Sequence, residues 1–349
     1  MTKKLDKTFT KTVTKWFCEN KRDLPWRQDR EPYHIWISEI MLQQTRVEAV
    51  REYYLRWMKA LPTIKSLADA EEESLLKLWQ GLGYYNRVRN MQKAARILET
   101  EYDGVFPDTY DEILKLPGIG DYTAGAIASN CFDQKVAAVD GNVLRVMSRI
   151  TEDDSDILKQ SIKKKYAAML AELYPEKDCG NFTQGLMEIG ATICVPNGMP
   201  KCDACPVADF CGAKAAGTAL NYPVKKAKKE RKTVDMTVFI LAYKGKQAVQ
   251  KRKQKGVLSG LYQYPTVEKK LDAGQAVALA QDWGCCPAGI ERQREYKHIF
   301  SHVEWHMTGY YITCSQQGEG AEGDFVWATE KQMEEEIPLP SAFQPFYLK

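Results

Sequence analysis

The 349-residue chain has no run of 18 or more apolar residues, no internal repeat and no low-complexity tract. The first absence excludes a membrane-spanning helix. The N-terminal stretch MTKKLDKTFTKTVTKWF has basic residues but lacks an apolar core and a small-residue cleavage site, so it does not read as a secretory signal. The expected setting is therefore the cytoplasm, a reducing compartment. Charge of one sign is also missing: 49 Lys and Arg against 46 Asp and Glu leave a net +3, which does not by itself identify a nucleic-acid partner. The one local excess is residues 221–233, NYPVKKAKKERKT, with six basic residues and one acidic, and alone it reads as a solvated linker.

What remains is a globular composition, 44% hydrophobic and 27% charged, in a chain long enough for two or three domains with real cores. Strand signals are few before about residue 212. FTKTVTKWF sets Phe9, Val13, Trp16 and Phe17 on one helical face. One long apolar-rich helix is predicted after Pro32, through YHIWISEIMLQQTRVEAVREYYLRWM. Further helices are predicted over 108–115, 122–130, 142–150, 155–173 and 182–193, and Thr109 with Glu112 makes a capping-box pattern. After the basic stretch the pattern changes. TVDMTVFILAYK, YKHIFSHVEWHMTGYYITC and DFVWA are β-branched and aromatic, and GQAVALAQDW is a short helix. The domain expectation is thus a mostly α part over 1–212, a linker over 213–233 and an α+β part over 234–349.

Four of the ten cysteines crowd together as C-x7-C-x2-C-x5-C: Cys194, Cys202, Cys205 and Cys211. In a reducing compartment this points to metal or cluster ligation rather than disulfides. Four thiolates from one loop can hold a [4Fe–4S] cluster, and zinc stays open on spacing alone. LPGIG followed by DYTAGAIA has the form of a helix–hairpin–helix. Gly118 and Gly120 would let backbone N–H groups approach a phosphate, and the following helix N-terminus adds a favourable dipole; a plain helix–helix corner fits equally. Asp140 precedes a helix and reads most simply as its N-cap, a role that also aims its carboxylate at the helix end. Glu39 lies among apolar residues in WISEIMLQQTRV. Periodicity favours an exposed position; a desolvated carboxyl there would have a raised pKa and could act as an acid at neutral pH. Paired carboxyls, one acidic and one ionised, suit cleavage through an oxocarbenium-like state.

Taken together, LPWR (24–27), SEIMLQQTRV (38–47), GLGYYNR (81–87), LPGIGDYTAGAI (116–127), VDGNV (139–143), the cysteine loop and HIFSH (298–302) resemble the adenine DNA glycosylase family of base-excision repair, in the family's order and over nearly the whole chain. The resemblance implies a helix–hairpin–helix glycosylase fold followed by a Nudix-like domain that reads the lesion. It implies excision of adenine mispaired with 8-oxoguanine or guanine in duplex DNA, after the nucleotide is flipped out, in the bacterial cytosol or nucleoid, by a monomer. Glu39 would protonate adenine and assist water, Asp140 would stabilise the cationic sugar, and Asn142 and Tyr122 would orient these groups. Trp26, Arg27, Gln184 and Glu188 would line or support the adenine pocket. Gln44, Leu82 and Tyr84 would enter the duplex, Thr45 would contact 8-oxoguanine, and Phe300, Ser301 and His302 would form the reading loop. The four cysteines would hold one [4Fe–4S] cluster that shapes a DNA-binding loop.

Two departures stand out. The first cysteine gap has seven residues where the family pattern has six, an insertion that costs little loop entropy. The C-terminal part lacks the G-x5-E-x7-R-E-x2-E-E run of Nudix hydrolases, so recognition rather than pyrophosphate hydrolysis is expected there. Three alternatives remain. An endonuclease III-like lyase would carry a lysine where Tyr122 stands, since Schiff-base chemistry needs an amine. A thymine-mismatch glycosylase would not carry the C-terminal part. A non-catalytic iron–sulfur DNA-binding protein leaves Glu39 with Asp140 unexplained.

Overall fold

The computed structural model describes residues 2–226, 230–253 and 256–347. The chain divides into two compact units, Met1–Asp69 with Arg89–Ala227, and Ala70–Val88 with Lys228–Lys349. The helices are α1 (Lys7–Asn20), α2 (Pro32–Leu42), α3 (Val47–Ala60), α4 (Ile64–Asp69), α5 (Glu72–Leu78), α6 (Asn86–Glu101), α7 (Tyr110–Lys115), α8 (Asp121–Phe132), α9 (Gly141–Thr151), α10 (Gln160–Ala171), α11 (Cys179–Thr192), α12 (Gly212–Ala215), α13 (Ala273–Asp282) and α14 (Glu330–Glu335). None is long and apolar enough to cross a membrane among the described residues.

The first unit is helical. Its core brings Phe9 and Val13 of α1 against Val143, Val146 and Met147 of α9 and Phe182, Leu186 and Ile189 of α11. α1 starts on Asp6, whose carboxylate accepts from the Thr8 and Phe9 amides. Packing is close enough that a Cβ on Gly185 would lie 2.7 Å from Val13, and one on Gly190 would lie 2.6 Å from Asn142. The small residues of α11 therefore bring it against both α1 and α9.

The single long helix expected after Pro32 is a correction: it breaks between Leu42 and Val47. Gln44 takes a left-handed conformation there, φ 62°. α10 starts at Gln160 rather than 155, because Asp153 and Asp156 draw the Ser155 and Leu158 amides into local turns. Residues 213–224 also differ from a free linker. Arg149 donates to the Ala219 and Tyr222 carbonyls and the Ile157 amide to the Val224 carbonyl, tying this stretch to the first unit. Residues 227–229 of the basic stretch lie outside the described residues.

The second unit is built on a mixed sheet of β1 (Lys232–Tyr243), β2 (Lys246–Lys251), β3 (Tyr262–Gln263), β4 (Thr266–Val267), β5 (Pro287–Ile299), β6 (Val303–Cys314) and β7 (Val326–Thr329). The strand order is β3-β2-β1-β6-β5, with β4 on β1 and β7 on β2. β1 and β6 run parallel, and β5 and β6 form a long antiparallel hairpin that turns at Phe300–His302. One core lies on each side of the sheet: Met236, Val238 and Ile240 face Trp305, Phe343 and Phe346, while Phe239 and Leu241 face Ala276, Ala280 and Trp283. That alternation is what a sheet covered on both faces requires. The same unit holds α5, where Lys77 donates to the Met333 and Ile337 carbonyls and Gln80 to the Leu339 carbonyl.

Candidate active site

A cavity of about 1040 Å³ opens in the first unit. Its lining includes Glu39, Tyr122, Asp140 and Asn142, as well as Trp26, Arg27, Gln184 and Glu188. Gln44, Thr45 and Gly120 reach the same cavity. Residues from Trp26 to Glu188 thus converge on one cavity. Leu82, Tyr84, Phe300, Ser301 and His302 belong to the second unit, and Gly118 and the four cysteines are not among the lining residues.

Glu39 sits on α2 and is 8% exposed. The helix is buried nearly all round, from Tyr33 to Met41, so no polar stripe remains to carry Glu39 into solvent. The exposed position that periodicity favours is corrected here. Burial pushes the Glu39 carboxyl up to about 7; the Tyr122 hydroxyl, donating to Oε2 over 2.6 Å, opposes that rise, Asp140 adds to it and Arg27 opposes it. Tyr122 itself is held well above its ordinary value, first by burial and then by the neighbouring carboxyls. Its hydroxyl also lies 3.8 Å from the Met187 sulfur.

Asp140 caps α9, as its position before the helix implies. Oδ1 accepts from the Val143 amide at 2.8 Å and Oδ2 from Asn142 Nδ2 at 2.7 Å. Burial raises its pKa, while those two donors and the Arg145 guanidinium favour the ionised form. The two carboxyls thus differ in support: Glu39 accepts from one hydroxyl of very high pKa, whereas Asp140 has an amide, a carboxamide and a nearby cation. The surroundings therefore support the anion with more donors at Asp140 than at Glu39.

At another part of the cavity Glu188 is 1% exposed. Burial would raise its pKa, but Arg22 and Arg27 hold it well below the usual carboxylate range. Arg22 donates from Nε to Oε1 (2.7 Å) and from Nη2 to Oε2 (3.0 Å); Arg27 donates from Nη2 to Oε2 (2.8 Å) and from Nε to Gln184 Oε1 (2.7 Å). Trp26 packs edge-on to Tyr54 beside this network. Sequence reasoning missed Arg22 and Met187. Their signals were present, since Arg22 lies two residues before LPWR and Met187 adjoins Glu188.

α8 begins at the hairpin. The Ile119 amide donates to the Leu116 carbonyl, and the Ala124 amide to the Gly120 carbonyl. Gly118 has φ 79°, and a Cβ there would lie 2.7 Å from Asn90 Cβ; a Cβ on Gly120 would meet nothing within 4 Å. The expected capping box at α7 is half formed. Thr109 accepts from the Glu112 amide, while the Glu112 side chain turns to Tyr102 and Lys115.

The four cysteines are half-buried free thiols. No group of three or more His, Cys, Asp or Glu is disposed as a formed metal site among the described residues. The thiols are still close enough that Cys194 and Cys202 oppose ionisation of both Cys205 and Cys211, and burial pushes Cys205 up to about 12. Arg149 donates to Cys194 Sγ at 3.2 Å and to the Val195 carbonyl. A loop of four mutually repelling soft donors beside a fixed cation suits a group that keeps thiolates ionised, and all four side chains can supply sulfur ligands. Arg145, one turn earlier on α9, donates to Asn142 Oδ1, the Gly190 carbonyl and the Cys194 carbonyl.

In the second unit Tyr84 (φ 48°) is 54% exposed, and its hydroxyl lies 2.8 Å from Ser301 Oγ. Leu82 is 5% exposed. Phe300 packs on His298 and Trp305, and Ser301 and His302 are exposed at the hairpin turn.

Residues 37–172 match the HhH-GPD superfamily of base excision DNA repair proteins, and residues 237–349 match the NUDIX domain. The chain is 35% identical over 312 residues to the adenine DNA glycosylase of Buchnera aphidicola subsp. Baizongia pistaciae, covering 88% of this chain and 87% of that protein. The chain belongs to the adenine DNA glycosylase family. The human adenine DNA glycosylase is 33% identical over 369 residues, 88% of this chain and 67% of that protein. Among solved structures, a thermostable thymine-DNA glycosylase aligns with a TM-score of 0.54 at 29% identity, over 60% of this chain and 96% of its own. A non-covalent endonuclease III–DNA complex aligns with a TM-score of 0.50 at 25% identity, over 61% and 99%. Membership makes this chain a DNA N-glycosylase of base-excision repair with a helix–hairpin–helix fold and a Nudix-like C-terminal domain.

Proposed function

We propose that the protein hydrolyses the N-glycosidic bond of adenine paired with 8-oxoguanine or guanine in duplex DNA, leaving an abasic site. The observation that carries this reading is Glu39, buried, near neutral in pKa and hydrogen-bonded to Tyr122, in one cavity with Asp140. With its pKa raised toward neutrality, Glu39 can hold a proton at working pH and still give it up, which suits an acid that must donate and be restored. Glu39 protonates the flipped adenine at N7, making the base a better leaving group, and its carboxylate then draws a proton from the attacking water. Asp140, held by Val143 and Asn142, faces the positive charge that grows on the sugar. Tyr122 holds Glu39 and offers no amine, which favours base removal that stops at the abasic site. Arg27, fixed by Glu188, and Gln184, held by Arg27 and Asn130, present polar groups to the base edge, and Trp26 supplies an apolar wall.

Gly118 and Gly120 bring backbone N–H groups to a phosphate. Gln44, Leu82 and Tyr84 enter the duplex, Thr45 meets 8-oxoguanine, and Phe300, Ser301 and His302 read it; the Tyr84–Ser301 contact supports that reading. Cys194, Cys202, Cys205 and Cys211 hold a [4Fe–4S] cluster that shapes the adjoining loop for DNA. The protein works as a monomer in the bacterial cytoplasm.

The test is incubation with duplexes containing A:8-oxoguanine, A:G, A:C, G:T and oxidised pyrimidines, followed by hot alkali. Strand cleavage is expected only for the first two and only after alkali; cleavage without alkali would favour the lyase. Tyr122→Lys should gain strand nicking. Purified protein should contain iron and acid-labile sulfide in equal amounts, and zinc in a colourless protein would overturn the cluster.

A further inference from the structure

The segment before α6 is held by an unusual arrangement. Gly81 (φ 103°), Gly83 (φ 69°) and Tyr84 (φ 48°) all take left-handed backbone conformations within four residues. Glycine does this freely; tyrosine does so at a cost of about 1 kcal/mol. The turn also directs the Leu82 and Gly83 carbonyls inward, where they need donors. Both find the same one. Arg87 Nη2 donates to the Leu82 carbonyl at 2.8 Å and to the Gly83 carbonyl at 3.0 Å, and Trp79 Nε1 donates to the Gly83 carbonyl at 2.9 Å. The Arg87 guanidinium carbon lies 5.1 Å from the Trp79 ring centre and 5.5 Å from that of Tyr84. The backbone returns the grip, the Arg87 amide donating to the Tyr84 carbonyl at 2.9 Å.

We propose that Arg87 is a positioning residue for lesion discrimination, holding the Tyr84 turn in the strained conformation from which the Tyr84 hydroxyl meets Ser301. The inference rests on the lesion-reading role given above to Tyr84 and Ser301. A planar guanidinium can lie against two rings and still donate in its own plane to the carbonyls. A lysine ammonium keeps the charge but is a point donor, and cannot hold both rings and both carbonyls. Burial already depresses the Arg87 pKa to about 10, which fits a cation that has exchanged water for carbonyls and ring faces. Without the clamp the turn relaxes, Tyr84 loses its fixed relation to Ser301, and the two cease to act on the lesion as one unit.

The test uses the full-length protein and two measurements. Hydrogen exchange without DNA should show peptides covering residues 79–87 exchanging faster in Arg87→Lys, with α9 and α11 unchanged; equal exchange would overturn the clamp. Single-turnover excision opposite 8-oxoguanine, divided by that opposite guanine in the same protein, should fall roughly five- to tenfold in Arg87→Lys. The same ratio in Arg87→Lys/Ser301→Ala should equal that of Ser301→Ala alone, because both changes break one linkage. Multiplicative losses, or an unchanged ratio beside faster exchange, would overturn the link to Ser301. A ratio of one in the unaltered protein would instead overturn lesion reading, and the exchange measurement would still decide whether Arg87 fixes the turn.

Discussion

The Tyr122 hydroxyl donates to Oε2 of Glu39 over 2.6 Å, joining the head of α8 to the middle of α2 inside the active-site cavity. The bond favours the ionised form of Glu39, opposing a burial effect that alone would carry its pKa higher. Removing the hydroxyl therefore moves the pKa up. In Tyr122→Phe, the limb of the pH–rate profile that falls as Glu39 ionises should shift to higher pH by about one unit, with excision at pH 7 reduced some tenfold or more because the acid is no longer held in one orientation. Single-turnover excision between pH 5 and 9 measures both effects, and an unshifted limb would show that the bond does not act on the acid.

Glu39 also makes a prediction about stability. Its pKa rises on folding from about 4.5 to about 7, so the folded chain binds the extra proton between those values. Stability accordingly falls as pH rises through that window, and the loss is complete above 7. Glu39→Gln removes the ionisation. The variant should melt at about the same temperature as the parent at pH 4 and a few degrees higher at pH 8, the full shift corresponding to about 3 kcal/mol at most. Excision should fall by about a thousandfold or more while duplex binding persists. Calorimetry at the two pH values and a binding isotherm test the two halves separately.

Glu188 gives the opposite sign. Its pKa is held down by Arg22 and Arg27, so its contribution is present above about 4.5 and is lost as pH falls through the depressed value. Glu188→Gln leaves two guanidiniums half-buried or better without a counter-charge, a loss of about 3 kcal/mol or more. Denaturant unfolding at pH 7 should show that loss, and at pH 3 a smaller one.

How much of this was legible in the sequence depends on which force placed each residue. α1, α7 and α9 follow from capping residues and apolar spacing, and Asp140 as an N-cap is a local signal, whereas α8 and α11 start without a side-chain cap. Glu39 was not legible from periodicity, because α2 is buried on nearly every side and a helix without a polar face gives its one carboxyl no distinguishing phase. The break after Leu42 left no mark either: QQTR contains neither Gly nor Pro, and Gln44 takes its positive φ from the surrounding structure. Tertiary contacts likewise decide α5. Lys77 and Gln80 meet carbonyls more than 250 residues away, and no local pattern announces that. The convergence of Glu39, Tyr122 and Asp140 came from the family resemblance, which carries tertiary information that single residues lack.

The hairpin glycines separate two reasons for using glycine. Gly118 has a positive φ and stands where a Cβ would lie 2.7 Å from Asn90 Cβ, so Gly118→Ala strains the backbone and pushes α6. It should cost about 1–3 kcal/mol in unfolding free energy and weaken DNA binding as a consequence. Gly120 has φ −106° and open space around its Cβ position, so Gly120→Ala leaves the fold's stability within about 0.5 kcal/mol. Yet Gly120 lines the cavity at the start of α8, where a phosphate would have to approach the backbone. Gly120→Ala should therefore lose duplex affinity about tenfold with its melting temperature intact, and the loss should be shared by matched and mismatched duplexes because a backbone grip reads no sequence. Parent-like affinity in Gly120→Ala would mean that the hairpin turns the chain without holding DNA.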